Sequence, residues 1–221
     1  MKDWIDLLYI MDFVSIGILL TAISINSLGR IESWIKAYMI NSWLLSLLIF
    51  FVAVKNPEHH LYLASTLTFA SKGILLPFFL KSIVSQMKKT HVVETYLSTS
   101  LSLIISGIII AIVYVSLGKG IFVTGFSSFV LKISVAVILI GLFIMITRKS
   151  AMTQILGLLF MENGVFLAGF SLTFGMPTIV ELGVVFDLLM IVIIMGVFMV
   201  QIKQKFSSDV ADMDQLTNLK G

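Results

Sequence analysis

Seven long runs of apolar residues constrain this chain more than any other feature of its sequence. Each run has the roughly 20 mostly apolar residues that an α-helix needs to cross the hydrocarbon of a bilayer. Polar and apolar residues do not alternate within them, as they would in the strands of a membrane barrel, so the sequence predicts helices. The predicted spans are 7–27, 34–54, 61–86, 96–117, 122–147, 151–174 and 178–202.

The composition agrees with an integral membrane protein and excludes the soluble classes. Charged residues make up 12% of the 221 residues and apolar residues 58%, whereas a soluble domain carries roughly 25% charged residues. The chain has no cysteine, which excludes disulfides, thiolate metal sites and iron–sulfur clusters within it. The sequence also contains no Walker loop, dinucleotide fingerprint or hydrolase motif, so no nucleotide, haem or substrate site is expected.

Lysine and arginine are divided unequally between the two ends of the predicted helices, and this predicts an orientation. Cytoplasmic loops of membrane proteins are the richer in these residues. One side holds Arg30, Lys88, Lys89, Arg148, Lys149, Lys203, Lys205 and Lys220, and the other holds Lys2, Lys55 and Lys119. We therefore expect an all-α membrane protein of about seven transmembrane helices, with its N-terminus outside and its C-terminus in the cytoplasm.

Ionisable side chains occur deep inside several predicted spans, where a charge costs about 2.5–3.5 kcal/mol or more. The deep ones are Lys72, Lys132, Glu162 and Asp187. Nearer the span ends, where a polar group can reach interfacial water, are Asp12, Lys81 and Glu181. Buried carboxylates that exchange a proton near neutral pH would account for this cost. The sequence thus predicts a path for an ion through the membrane.

Each of these residues also has a structural alternative. A carboxylate paired permanently with Lys72 or Lys132 would only fix the packing of helices. Lys72 is either a mobile partner of a carboxylate or a static counter-ion, and Lys132 is near enough to the end of its span to reach the interface. Pro77 follows Lys72 in the same span. Because proline removes a backbone hydrogen bond, the helix is predicted to loosen beside the lysine.

Glu162 and Asp187 are predicted to lie at one depth in the membrane. The midpoint between them in sequence falls beside Gly175-Met176-Pro177, which its Gly and Pro identify as a turn. Since packed helices are about 8–10 Å apart, we expect their carboxylate oxygens within roughly 5–12 Å if both face one cleft. Two acids at that spacing would titrate as a coupled pair.

A family resemblance is most specific in the C-terminal half. The runs Met161-Glu162-Asn163-Gly164 and Glu181-Leu-Gly-Val-Val-Phe-Asp187 resemble hydrogenase-4 component E, a membrane subunit of energy-converting group 4 nickel–iron hydrogenases and formate hydrogenlyases. The same region is similar to the small K-type subunit of respiratory complex I, whose second-helix asparagine and third-helix carboxylate match Asn163 and Asp187 by position. Where that subunit has Glu directly after Gly-Leu, this chain has Leu159, and Glu162 follows one turn later on nearly the same face.

The resemblance implies a non-redox membrane subunit of an oxidoreductase complex in the prokaryotic cell membrane, with no catalytic centre of its own. Antiporter-like subunits and other hydrogenase subunits would be its partners, and these partners would hold the nickel–iron and iron–sulfur centres, so no cofactor is expected in this chain. Two alternatives are a subunit of a standalone cation/proton antiporter and a purely structural membrane anchor.

The predicted depth of the ionisable residues, together with the family resemblance, leads to a predicted ion pathway and a domain organisation. The predicted proton or sodium pathway comprises Glu162, Asp187, Lys72, Lys132, Glu181 and Asn163. The chain would consist of a four-helix membrane region over 1–120, a three-helix region similar to the complex I K subunit over 121–205, and a polar cytoplasmic tail over 206–221.

Overall fold

The fold was obtained as a computed structural model, which describes residues 2–55, 59–86, 92–118 and 128–173 together with Gly183, Met190 and Gly196. Over these residues the chain is all-helical and contains no strand. The helices are α1 Lys2–Ser24, α2 Ile31–Lys55, α3 His59–Ala70, α4 Leu76–Gln86, α5 Thr99–Ser116, α6 Ser128–Thr147 and α7 Ala151–Thr173. A short 3-10 turn, Ile25–Ser27, follows α1, and a π-helical turn, Ser71–Leu75, joins α3 to α4.

Six helical segments within the described residues are long and apolar enough to cross a membrane, and the protein is a multi-pass membrane protein. These segments are Tyr9–Ser27, Ile31–Lys55, His59–Ser85, Thr99–Ser116, Ser128–Thr147 and Ala151–Leu172. They correspond to the first six predicted spans. The seventh predicted span, 178–202, lies outside the described residues except for Gly183, Met190 and Gly196.

Glycines explain how closely α6 and α7 pack. A Cβ atom at Gly141 would lie 2.7 Å from the backbone nitrogen of Met161 and 2.8 Å from the carbonyl oxygen of Gly157. One at Gly164 would lie 3.1 Å from the Ser134 carbonyl oxygen. Small residues let the backbones of membrane helices approach each other in this way. Against this tight pair, α1 packs on α6 and α2 packs on α7, so the centre of the bundle lies among these four helices.

Three loops meet at one end of the bundle, and we call their meeting the loop clasp. The segment 92–96, which precedes α5, donates from Val93 N to the Gly29 carbonyl at 2.9 Å and from Tyr96 N to the Thr147 carbonyl at 3.0 Å. In return, Lys149 N donates to the Glu94 carbonyl at 3.2 Å. The clasp therefore brings together the loops that follow the first, third and fifth spans, which are the loops predicted to share one side of the membrane.

The clasp also explains why α5 begins later than its predicted span. Tyr96 belongs to the extended segment of the clasp, where its N–H donates to the Thr147 carbonyl. Ser98 then caps the helix, because its hydroxyl accepts from the N–H of Leu101 at 3.4 Å. A serine that accepts a hydrogen bond from the first turn is a common start of a helix, and α5 accordingly runs from Thr99.

Candidate functional site

Lys72 lies halfway along a membrane span, in a distorted turn. It is the middle residue of the span His59–Ser85 and belongs to the π-helical turn Ser71–Leu75. Its side chain is 1% exposed. Single π turns within α-helices are rare and recur at functional sites. The sequence predicts a loosened helix beside Lys72, and the structure has a π turn there, directly before Leu76 and Pro77.

Pro77 and Trp43 explain the geometry of this turn. In an α-helix, residue 77 would donate its N–H to the carbonyl of Gly73, four residues earlier, but proline has no N–H. The indole Nε1 of Trp43, on α2, donates to the Gly73 carbonyl at 3.1 Å. Gly73 permits this approach, since a Cβ atom there would lie only 2.7 Å from Trp43 Cδ1. The Leu76 N–H reaches back five residues to the Ser71 carbonyl, which is the π-helical bond.

The ammonium group of Lys72 forms an ion pair with Glu162. Nζ lies 3.1 Å from Oε1, and the glutamate side chain is 8% exposed. Glu162 is the middle residue of α7, so the two charges meet near the mid-depth of both spans. The ring of Phe166, one turn after Glu162, has its centroid 5.5 Å from Nζ, within the range of a cation–π contact. Of the two lysines considered as partners for this carboxylate, the structure selects Lys72.

Asn163 is held beside the ion pair by hydrogen bonds whose directions are fixed. Asn41 Nδ2 donates to the Ile18 carbonyl at 2.9 Å and to Thr21 Oγ1 at 2.7 Å. Because a backbone carbonyl only accepts, Asn41 must present its Oδ1 to α7. Asn163 Nδ2 donates to this oxygen at 2.9 Å and to Ser42 Oγ at 3.1 Å. Both amides are fully buried, and the network joins α1, α2 and α7.

Three pairs of neighbouring residues close a ring at the centre of the bundle, which we call the central ring. The pairs are Ser42-Trp43 in α2, Lys72-Gly73 in the π turn and Glu162-Asn163 in α7. One member of each pair bonds to the next segment, as Trp43 to Gly73, Lys72 to Glu162 and Asn163 to Ser42. Each segment is therefore tied to both others, and displacing one segment strains the contacts that hold the ion pair.

The chemistry available to the central ring is exchange of a cation at a carboxylate. As an ion pair the site is neutral, so it can remain at mid-depth without the cost of an isolated charge. A buried ion pair is often no more stabilising than apolar residues of the same volume, which means that packing alone gives little reason to keep it. Within the described residues there is no cluster of histidine, aspartate and glutamate that could hold a metal ion.

Lys132, another predicted site residue, lies apart from the ion pair. It is near the start of α6, at the end of the bundle opposite the loop clasp, and its Nζ lies 4.7 Å from the centroid of the Tyr114 ring on α5. Over the described part of the chain it forms no ion pair. This position corresponds to the alternative in which Lys132 reaches the membrane interface.

Glu181 and Asp187, the remaining predicted site residues, lie outside the described residues. Gly183, between them in sequence, packs against the ring of Phe166, which a Cβ atom at this position would overlap. Phe166 also faces Lys72, so Gly183 contacts the same ring as the lysine. The expected separation of Glu162 and Asp187 stays a prediction.

A second buried polar cluster supports the loop clasp. Arg148 is 2% exposed and donates from Nη2 to Asn26 Oδ1 at 2.9 Å, with its guanidinium 5.0 Å from the Trp34 ring. Asn26 Nδ2 in turn donates to Ser106 Oγ at 3.0 Å. Burial lowers the pKa of the Arg148 guanidinium below its ordinary value, yet an arginine stays protonated at neutral pH. The cluster ties α2, α5 and the 3-10 turn that follows α1 to the loop after α6.

Three residues of the central ring were not identified from the sequence, namely Ser42, Trp43 and Gly73. Asn41, which orients Asn163, was missed as well. Asn41 does carry a signal, since an amide near the middle of an apolar span needs a hydrogen-bonding partner. Trp43 carries none, because its partner is a backbone carbonyl on another helix.

A distant relative is similar to this chain over nearly its whole length. The chain is 28% identical over 224 residues to uncharacterized protein Rv0085 of Mycobacterium tuberculosis (strain ATCC 25618 / H37Rv), with 96% of each chain covered. No protein-family model matches the chain, and no solved structure matches it significantly. The relative's name states no activity, so the function is inferred from the central ring.

Proposed function

We propose that this protein is a membrane subunit whose Lys72–Glu162 ion pair takes part in moving protons or sodium ions across the bilayer. The observation that carries the proposal is the meeting of two oppositely charged side chains, both almost fully buried, at the mid-depth of two spans. Ionisable groups at membrane depth are expensive and commonly mark the route of an ion.

The parent assembly is proposed to be an energy-converting, hydrogenase-type complex related to complex I, in the cell membrane of a prokaryote. The resemblance of the Met161-Glu162-Asn163-Gly164 run to hydrogenase-4 component E supports this, as does the participation of its two polar residues in the central ring. Antiporter-like and hydrogenase subunits would be the partners, and those partners would carry the nickel–iron and iron–sulfur centres.

The proposed topology has seven membrane spans, with the N-terminus outside and the C-terminus in the cytoplasm. The loop clasp supports this orientation, because the loops that it joins contribute Arg30, Arg148 and Lys149, and basic loops face the cytoplasm. The loop end of the bundle would then be the cytoplasmic end, and Lys132 would lie near the outer interface.

The step proposed at the central ring is a competition for one carboxylate. A proton or sodium ion that reaches Glu162 would displace the ammonium group of Lys72, and its departure would let the lysine return. Asp187 is the proposed next acceptor. The contact between Gly183, in the same run, and Phe166 supports this order, because Phe166 lies one turn from Glu162 and faces Lys72.

The test replaces Glu162 by glutamine in the complex purified from native membranes. Gln keeps the volume of the side chain and a hydrogen-bonding end, so assembly is expected to continue. Redox-linked ion translocation in inverted vesicles is expected to fall by about tenfold or more, since the exchangeable group is lost. Glu94→Gln is the matched control, because Glu94 is exposed in the loop clasp and its replacement should leave translocation unchanged.

The outcomes separate the proposal from its alternatives. Unchanged translocation in Glu162→Gln would remove the central ring from the pathway and favour a structural anchor. Loss of sodium/proton exchange in a preparation that contains only antiporter subunits would favour the standalone antiporter. Co-purification with a nickel–iron large subunit would favour the hydrogenase-type complex.

A further inference from the structure

The indole N–H of Trp43 fills a place that the helix itself leaves empty. The Gly73 carbonyl would accept from residue 77 in an α-helix, but residue 77 is a proline. Trp43 supplies the donor from another helix, at 3.1 Å. Gly73 immediately follows Lys72, so this bond acts one residue from the lysine of the ion pair.

We propose that Trp43 is a positioning residue for the Lys72–Glu162 pair, because its bond to the Gly73 carbonyl holds the π turn that directs Lys72 at Glu162. This positioning role belongs to the proposed function, and its effect on ion translocation rests on that function. Trp43 bonds to the Gly73 carbonyl, one residue from Lys72. It acts through the backbone of the π turn, and its neighbour Ser42 connects the same helix to Asn163.

The surroundings of Trp43 single out the hydrogen bond as the contact that fixes the ring. Trp43 is 41% exposed and lines an open apolar groove of about 500 Å³ on α2 and α3. Its tilted contact with Phe69 has a centroid distance of 6.1 Å. Packing therefore encloses the ring only in part, while its N–H is directed at the Gly73 carbonyl.

The experiment replaces Trp43 by phenylalanine, which keeps an aromatic ring and lacks the N–H. In the purified complex, the infrared band of the protonated Glu162 carboxyl is titrated with pH, after assignment by its loss in Glu162→Gln. The titration midpoint is expected to move by at least about half a pH unit, a roughly threefold change in proton affinity. The pH profile of ion translocation should move with it.

Trp34→Phe is the matched control, because Trp34 also donates its indole N–H to a carbonyl, that of Leu28 at 2.8 Å, but lies in the Arg148 cluster. It is expected to titrate as the parent protein does. If Trp43→Phe lowers the yield of folded complex, benzothienylalanine at position 43 keeps the shape of tryptophan with sulfur in place of the N–H. It should move the midpoint in the same way.

Pro77→Ala provides a test of the cause. Alanine restores an N–H that can reach the Gly73 carbonyl, so Trp43→Phe in this background should move the midpoint by less than half as much as in the parent. A parent-like midpoint and pH profile in both Trp43 variants would overturn the inference. A moved midpoint together with normal translocation in Glu162→Gln would instead sustain the positioning role and reject the proposed function.

Discussion

Lys72 Nζ and Glu162 Oε1 lie 3.1 Å apart although one belongs to the π turn Ser71–Leu75 and the other to α7, 90 residues later in the chain. Each residue is the midpoint of its own membrane span, so the contact joins two helices at the depth where an isolated charge is least tolerated. Each charge lowers the free-energy cost of burying the other at this depth. The stability of the bundle and its ionisable site are therefore linked.

Removing one partner of this ion pair should be more harmful than removing both. Lys72→Met leaves the carboxylate buried without its cation, and we expect a loss of about 3–5 kcal/mol in unfolding free energy. Lys72→Met combined with Glu162→Met should recover most of this loss, because apolar residues of similar volume often replace a buried ion pair without cost. Unfolding in detergent, followed for the two single variants and the double variant, measures the coupling. Additive losses would contradict it.

Asn41→Leu should destabilise the protein, because it removes the hydrogen bonds that Asn41 forms with the Ile18 carbonyl, the Thr21 hydroxyl and the Asn163 amide inside the bundle. The expected loss is about 1–3 kcal/mol of unfolding free energy, seen as a lower unfolding temperature in detergent. Thr66→Val is the control, since the exposed Thr66 hydroxyl bonds only to carbonyls of its own helix. Equal unfolding temperatures for the two variants would show that the Asn41 network contributes nothing.

Gly141→Ala should separate α6 from α7, because the new Cβ atom would lie within 2.8 Å of backbone atoms of Gly157 and Met161. Backbone cannot move aside as a flexible side chain can, and overpacking of this kind costs about 1–3 kcal/mol. Gly107→Ala, where nothing lies within 4 Å of the added atom, is the matched control on α5. Gly107→Ala should be neutral or slightly stabilising. An unfolding temperature of Gly141→Ala equal to that of Gly107→Ala would contradict the close packing of α6 on α7 at Gly141.

Arg148→Lys should open the loop clasp although it keeps the charge. Lysine lacks the planar fork that reaches Asn26 while stacking on Trp34, so the replacement is not conservative here. Faster hydrogen exchange at Val93, Tyr96 and Lys149 is expected, since their N–H groups form the clasp. Exchange within α2 should stay slow. Unchanged protection from exchange over 92–96 would show that the backbone hydrogen bonds hold the clasp without support from Arg148.

The predicted closeness of Glu162 and Asp187 can be tested by cross-linking, because the chain has no cysteine of its own. With cysteines at these two positions, a membrane-permeant bismaleimide spanning about 8 Å should join them, as expected for neighbouring helices. Cysteines at Ile146 and Asp187 provide the control, since Ile146 is 76% exposed near the loop end of α6. Cross-linking of the control pair, or none of the test pair, would reject the shared layer.

The six membrane spans within the described residues could be predicted from the sequence because the thickness of the bilayer sets their length. Lys72 and Glu162 were also identifiable, since an ionisable residue in an apolar span stands out against its surroundings. Pro77 indicated that the helix is loosened beside Lys72, and a π turn is found there. Each of these signals is local and needs no knowledge of the neighbouring helix.

The choice of partners could not be predicted, for a physical reason. Lipid surrounds the bundle, so apolar residues cover the outward face of a helix as well as its inward face, and periodicity does not indicate its rotation. Whether Glu162 meets Lys72 or Lys132 depends on that rotation. The bond between Trp43 and Gly73 depends further on a carbonyl left without a donor by Pro77, which is visible only when α2 and the π turn lie side by side.

The loop clasp also constrains the order in which the newly made chain can mature. Segment 92–96 bonds to Gly29, which is translated before it, and to Thr147 and Lys149, which are translated two spans later. Until α6 has left the ribosome, the nascent chain therefore holds Asn26 and Ser106 without the guanidinium that later covers them. A chain that stops short of Arg148 lacks both the bond from its guanidinium to Asn26 and the bond from Lys149 to Glu94, so the clasp can close fully only after α6 has been made.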